Sequence, residues 1–239
     1  MKSKISSGKY TYALLFLLIV LGIYAIMKET DTDTAIESFA PKADRILILD
    51  AGHGGDDGGA SSASGLRESE VNLDIVLRMR EICRLLAVPV LLTRDSEELP
   101  YPANTVSLSS RKLWDTRKRV DMINEQPNAM LLSVHQNCYP GQEPRGPQIF
   151  YSENPDSVEK AHQIQFYMTK NLYPANRRVA APMPDGLYIP EHIQCPAILC
   201  ECGFLSNPEE AKALATEEYR IKIAVILMAA YLNPTEETI

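Results

Sequence analysis

The chain has no surplus of basic residues. Its 24 Lys and Arg are outnumbered by 31 Asp and Glu, a formal net charge of -7. No basic stripe is available to neutralise phosphates, which argues against nucleic acid as a partner. It also has no C-x-x-C pair. The five cysteines, at 83, 138, 195, 200 and 202, are odd in number, and a disulfide-stapled scaffold would be smaller and denser in cysteine. They read as small buried apolar side chains, with Cys138, three residues past His135, as the exception. Cys200 and Cys202, two apart on an expected strand, point to the face opposite Glu201. Internal repeats and low-complexity tracts are missing, so a solenoid is not expected. No small-x-small cleavage site directly follows the apolar run Tyr10 to Met27, which ends Tyr24-Ala25-Ile26-Met27-Lys28. That favours an uncleaved anchor over a removed signal peptide.

The run of 18 apolar residues is at the short end of what spans a bilayer. Lys2, Lys4 and Lys9 precede it, which places residues 1–9 in the cytoplasm and the following domain outside. Residues 10–27 are thus expected as a single-pass anchor and residues 28–44, rich in Thr, Asp and Glu, as a polar linker. With or without cleavage the domain is exported. Residues 45–239, about 195 in all, suffice for one domain with a real core, and 45% hydrophobic with 23% charged residues is ordinary for a globular protein.

A first strand opens at Arg45, and strand-like runs follow near 88–94, 129–135, 147–152, 187–190 and 196–202. Helical patterns lie between them, over Glu70 to Leu86, Arg111 to Asn124, Val158 to Leu172 and Thr216 to Leu232. The last carries Tyr219, Ile223, Ile226 and Leu227 at helical spacing. Strands alternating with helices predict an α/β fold: one three-layer domain with a mostly parallel mixed sheet flanked by helices. Residues Asp95 to Ser110, polar and without periodicity, read as a long surface loop of the kind that shapes access to a site.

Chemistry concentrates at strand ends, where open α/β sheets place their sites. His53 lies in Asp50-Ala51-Gly52-His53-Gly54-Gly55, directly after the apolar Ile46-Leu47-Ile48-Leu49, and the glycines let the backbone turn sharply. His135 ends the run from Met130, and Glu201 ends the run from Pro196. Glu68 follows in Gly65-Leu66-Arg67-Glu68, with Glu70 a close competitor, and Asp56 and Asp57 lie near enough to His53 to be ligands as well. Spacing does not separate them. Two imidazoles and one carboxylate are a standard catalytic zinc set, with a fourth position for water. Bound zinc lowers the pKa of water from about 15.7 to about 7, about 12 kcal/mol in favour of hydroxide. A carboxylate is still needed to move the proton, and Glu201 fits that role. His162, on an exposed helix, and His192, in a loop, read as bystanders.

Asp50-Ala51-Gly52-His53-Gly54-Gly55, Arg67-Glu68 with Asn72-Leu73, Ser133-Val134-His135-Gln136-Asn137 and Glu201-Cys202-Gly203-Phe204-Leu205-Ser206-Asn207 resemble the zinc-dependent N-acetylmuramoyl-L-alanine amidases of type 3. The likeness runs from about Arg45 to Leu232. It implies that His53, Glu68 and His135 hold Zn2+, that Glu201 is the catalytic carboxylate, and that Glu68 rather than Glu70 is the ligand. It implies peptidoglycan as substrate, cut at the amide between the lactyl group of N-acetylmuramic acid and the L-alanine of the stem peptide. Gly54 and Gly55 would help position the glycan, and Asn137 the second histidine or the substrate. The N-terminal anchor and the loop into Ser109-Ser110-Arg111-Lys112 are similar to the spore-cortex members of that family. That likeness implies a part in muramic lactam formation and germination. Family members often have Val-Glu-Thr or Val-Glu-Val where Cys200-Glu201-Cys202 stands here. No inhibitory helix is evident between Glu70 and His135, so regulation would come from an accessory protein or from weak zinc affinity. A zinc peptidase acting within the stem and a non-catalytic wall-binding module are the rival readings.

Overall fold

A computed structural model describes residues 45–126 and 128–234. The expected cytoplasmic N-terminus, anchor and linker lie outside them. Among the described residues no helix is long and apolar enough to cross a membrane.

The apolar runs build the middle of one sheet. Strands β1 (Ile46–Ala51), β2 (Val90–Leu92), β3 (Ala129–Asn137), β4 (Gln148–Tyr151), β5 (Ala181–Pro182) and β6 (Ala197–Phe204) lie in the order β2-β1-β3-β6-β4-β5. The pairs β1–β2, β1–β3, β3–β6 and β4–β5 are parallel, and β4 runs antiparallel to β6. The central strands are buried on both faces, which explains why they read as continuous apolar runs rather than alternating ones.

Helices α1 (Glu68–Leu85), α2 (Leu108–Asn124), α3 (Pro155–Leu172), α4 (Tyr188–His192), α5 (Pro208–Leu214) and α6 (Glu217–Leu232) complete the domain. One sheet face presents Leu47, Leu49, Leu132, Val134, Cys200 and Cys202 to the main core beneath α1, α3 and α6. The other face carries a smaller cluster, Ile48, Leu131 and Ala197, under Ile123 of α2 and Ile189 of α4. Strand alternation therefore buries both thiols on one side and turns Glu201 to the other, as the sequence predicted. Helix starts follow local chemistry. Asn154 and Asn207 accept backbone N–H groups ahead of Pro155 and Pro208, and Thr216 caps α6. The 95–110 loop is shorter than expected, because Ser107 and Ser110 form a reciprocal cap that starts α2 at Leu108.

One expected strand is wrong. Residues 187–190 belong to the short helix α4, not to the sheet. Pro190 has no N–H to give a ladder, and Gly186 turns the chain at φ 85 while donating its N–H to the Glu191 carboxylate at 2.6 Å. The edge strand is instead the two-residue β5, paired with β4. His192, expected in a loop, ends α4 and stacks on Tyr188 at 3.9 Å.

Candidate active site

The site is built first from backbone. After β1 the chain turns through His53, a non-glycine residue at φ 61, a left-handed conformation that persists only where the surroundings fix it. Two buried arginines fix it here. Arg94 donates to the carbonyls of Ala51 (2.9 Å), Gly52 (3.2 Å) and Ser69 (2.8 Å). Arg119 donates to those of Ala51 (2.7 Å) and His53 (2.5 Å), and its guanidinium is paired with Asp50 at 2.7 Å and Asp115 at 2.8 Å. Burial alone would raise the Asp50 pKa. Arg119 and the hydroxyls of Ser133 and Thr93 more than offset that and hold the carboxyl well below the usual range.

Side chains converge on this frame. Glu68, the first residue of α1, is buried and meets His53 Nε2 at 3.3 Å and His135 Nδ1 at 2.9 Å. The backbone N–H groups of Ala60 (2.9 Å) and Gln136 (3.1 Å) and the Asn72 amide (3.3 Å) donate to its carboxylate. One ligand atom each from His53, Glu68 and His135 lies within 4.8 Å of the others. Asp57 binds the far nitrogen of His53, Nδ1, at 3.0 Å. Asp56 pairs with Arg111, and Glu70 is an exposed partner of Arg67. The ambiguity left by spacing is thus resolved by position: Glu68 is inside the cluster, and Glu70 and Asp56 are outside it.

Glu201 sits directly across from His135 in the β3–β6 register. Its Oε2 is shielded from solvent and has no hydrogen-bond partner among the described residues. Burial pushes Glu201 up to about 7, His135 opposing and Glu68 adding to the shift. Burial would lower His53, but its hydrogen bonds to Asp57 and Glu68 raise it to about 9. A metal ion bound there must displace the proton that these hydrogen bonds favour. Glu201, His53 and His135 open into a cavity of about 430 Å3 between α2 and the 183–190 segment, with Leu131, Met183 and Leu199 on its walls.

A family model described as N-acetylmuramoyl-L-alanine amidase matches residues 47–231. The chain belongs to that family. Among curated proteins, the amidase is 37% identical over 185 residues to the germination-specific N-acetylmuramoyl-L-alanine amidase of Bacillus subtilis, a match covering 77% of each chain. Among solved structures it resembles the CwlD amidase from Clostridioides difficile in complex with the GerS lipoprotein. The TM-score is 0.74 and the identity 32%, over 78% of this chain and 96% of that one. The amidase AmiC2 of Nostoc punctiforme shares the fold, with a TM-score of 0.65 and 24% identity over 79% and 95% of the two chains.

The remaining expected residues of the amidase fall elsewhere. Gly54 and Gly55 do not line the cavity. A Cβ on Gly54 would meet Arg94 Nε at 2.8 Å and one on Gly55 the Tyr101 hydroxyl at 2.2 Å, so packing explains both glycines. Asn137 lies two residues past His135, outside the cavity lining, and its carbonyl accepts from the Leu205 N–H. Gln136 and Asn72, not Asn137, hydrogen-bond the Glu68 carboxylate. Asp50, Arg94 and Arg119 were not assigned roles from sequence, and Asp57, weighed there as a further ligand, instead binds His53 Nδ1. The one available signal was Asp50, a carboxylate closing an apolar strand, which must find a buried cation.

Gly52 is the glycine that the site itself demands. A Cβ there would lie 2.1 Å from His135 Nε2. Gly52→Ala is expected to displace the imidazole and cut affinity for a divalent metal about tenfold or more, with the fold retained. Competition against a chromophoric chelator measures this, and unchanged affinity would refute the placement.

Proposed function

We propose that this peptidoglycan amidase cleaves the lactyl–L-alanine amide with Zn2+ held by His53, Glu68 and His135 and with Glu201 as the proton carrier. The observation that carries this reading is the convergence of three donors within 4.8 Å opposite a carboxylate whose shielded Oε2 has no hydrogen-bond partner among the described residues. The donor set suits zinc: two imidazoles and a carboxylate, with no thiolate among them. Asp57 on the far nitrogen of His53 is the outer carboxylate that commonly orients a ligating imidazole.

Bound zinc supplies Lewis acidity toward the amide carbonyl and a nucleophile at neutral pH. Glu201 does the rest of the proton work. Raised to about 7, its carboxylate is suited to take a proton from the attacking water and return it to the departing alanine nitrogen near neutral pH. Burial of Glu68, fixed by two backbone N–H groups, keeps the charge of the ligand set in place without reorganisation.

The wider reading rests on likeness. Resemblance to the germination-specific Bacillus subtilis amidase supports action on spore cortex, where removal of stem peptides would precede muramic lactam formation. The Clostridioides difficile amidase is solved in complex with a lipoprotein, which supports an accessory partner here. The apolar run at 10–27 supports a single-pass anchor with the domain outside the cytoplasm.

Digestion of intact peptidoglycan by the full chain, with zinc and after chelation, tests the chemistry by mass spectrometry. Zinc-dependent release of stem peptides that begin with L-alanine is expected. Fragments cut within the stem would favour a peptidase, and binding without release would favour a wall-binding module.

A further inference from the structure

The β4 side of the site carries a cation that the amide chemistry does not use. Gln148 faces Glu201 across the antiparallel β4–β6 pair, one strand spacing of about 4.8 Å away. Its Nε2 donates to the Val179 carbonyl at 2.8 Å, which ties the segment containing Arg178 to β4, outside the lining of the cavity. Arg178 is then held from two directions. Its Nη1 donates to the Arg145 carbonyl at 2.6 Å, and its guanidinium lies 5.1 Å over the Phe204 ring. Phe204 is paired with Asn137 after a register shift and belongs to neither core cluster.

Nearby acids leave Arg178 without a direct ion pair, although its charge acts on buried Glu210 at longer range. Glu209 is taken by Arg145 at 2.6 Å. Glu210 spends one oxygen on the Gly146 N–H and the other on the Phe204 N–H. Among the described residues Arg178 forms no ion pair, and its Nε and Nη2 make no hydrogen bond. A half-buried guanidinium with a free donor edge suits a bidentate carboxylate.

We propose that Arg178 binds the first free carboxylate of the stem peptide, on the residue after L-alanine, and so sets substrate specificity. The proposal rests on Glu201 and His135 marking the point of cleavage. An extended peptide advances about 3.3–3.6 Å per residue, so that carboxylate lies about 7 Å beyond the scissile bond. The Asn137–Phe204 pair beneath Arg178 stands two strand residues past His135, about 6.6 Å further on. The two spans agree for a stem peptide that runs alongside β3 away from the metal-ligand cluster.

The test uses the full chain and two synthetic muropeptides that differ only in a carboxylate or a carboxamide on the second stem residue. The native chain should show a KM about tenfold lower for the carboxylate, the effect of one charge-assisted hydrogen-bonded contact. Arg178→Gln should raise KM about tenfold on the carboxylate substrate alone, with kcat within about twofold, and Arg178→Lys should keep part of the preference. A native chain that treats both substrates alike overturns the proposal, even if Arg178→Gln does not fold. So does a variant that slows both equally, the mark of a structural role. If neither substrate is cut at the lactyl amide, the assignment of the cleavage site falls and this proposal falls with it.

Discussion

Glu201→Gln is expected to lower turnover on peptidoglycan by about 10²–10⁴-fold, the usual range for loss of a positioned acid–base group. The fold and the metal content should not change. Among the described residues Glu201 makes no side-chain hydrogen bond that the amide would break, and its Oε2 has no partner to lose. Neutralising it also removes a like charge from the neighbourhood of Glu68, so stability should hold or rise slightly. Rates on purified peptidoglycan, zinc content by elemental analysis and a thermal melt together decide the matter. Activity within tenfold of the native chain would remove Glu201 from the reaction. Loss of zinc along with activity would instead make it a ligand.

The largest stability effect is expected away from the chemistry, at Arg119. Its side chain is 3% exposed and pairs with Asp50, which is 1% exposed. Arg119→Met would leave a buried carboxylate uncompensated, at a cost of about 3–5 kcal/mol. In a domain of this size that is a fall in Tm of about 10 °C. Zinc affinity should drop as well, because the same guanidinium holds the carbonyls of Ala51 and His53. Adding Asp50→Asn to the variant should recover part of the loss by removing the stranded charge. A single variant with native Tm would show that Arg119 is dispensable to the loop.

Sequence reasoning did best where one physical signal dominated. Strands β1, β3 and β6 are continuous apolar runs because parallel strands are covered on both faces, and each of the three leads to a polar residue of the site. The long helices α3 and α6 showed themselves by spacing. It failed where packing overrode local preference. Tyr188-Ile189-Pro190 looks extended, yet the Gly186 turn and the Glu191 carboxylate wind it into α4. Helix α5 was overlooked although Asn207-Pro208 is a capping signature that could have revealed it. The separation of Glu68 from Glu70 depends on which way the first turn of α1 faces, and Asp57 is recognisable as the partner of His53 only once the loop is folded. Both are tertiary facts.

Arg94 and Arg119 grip the turn at residues 51–53 through carbonyl oxygens, and a carbonyl is the same atom in every amino acid. The position of the turn in space is therefore written in two distant guanidiniums and not in the side chains it displays. New donors could be exchanged at position 53 without moving the scaffold. Asp or Asn would accept the left-handed backbone there with least strain, which makes this turn a ready mount for re-engineering the metal preference of the enzyme.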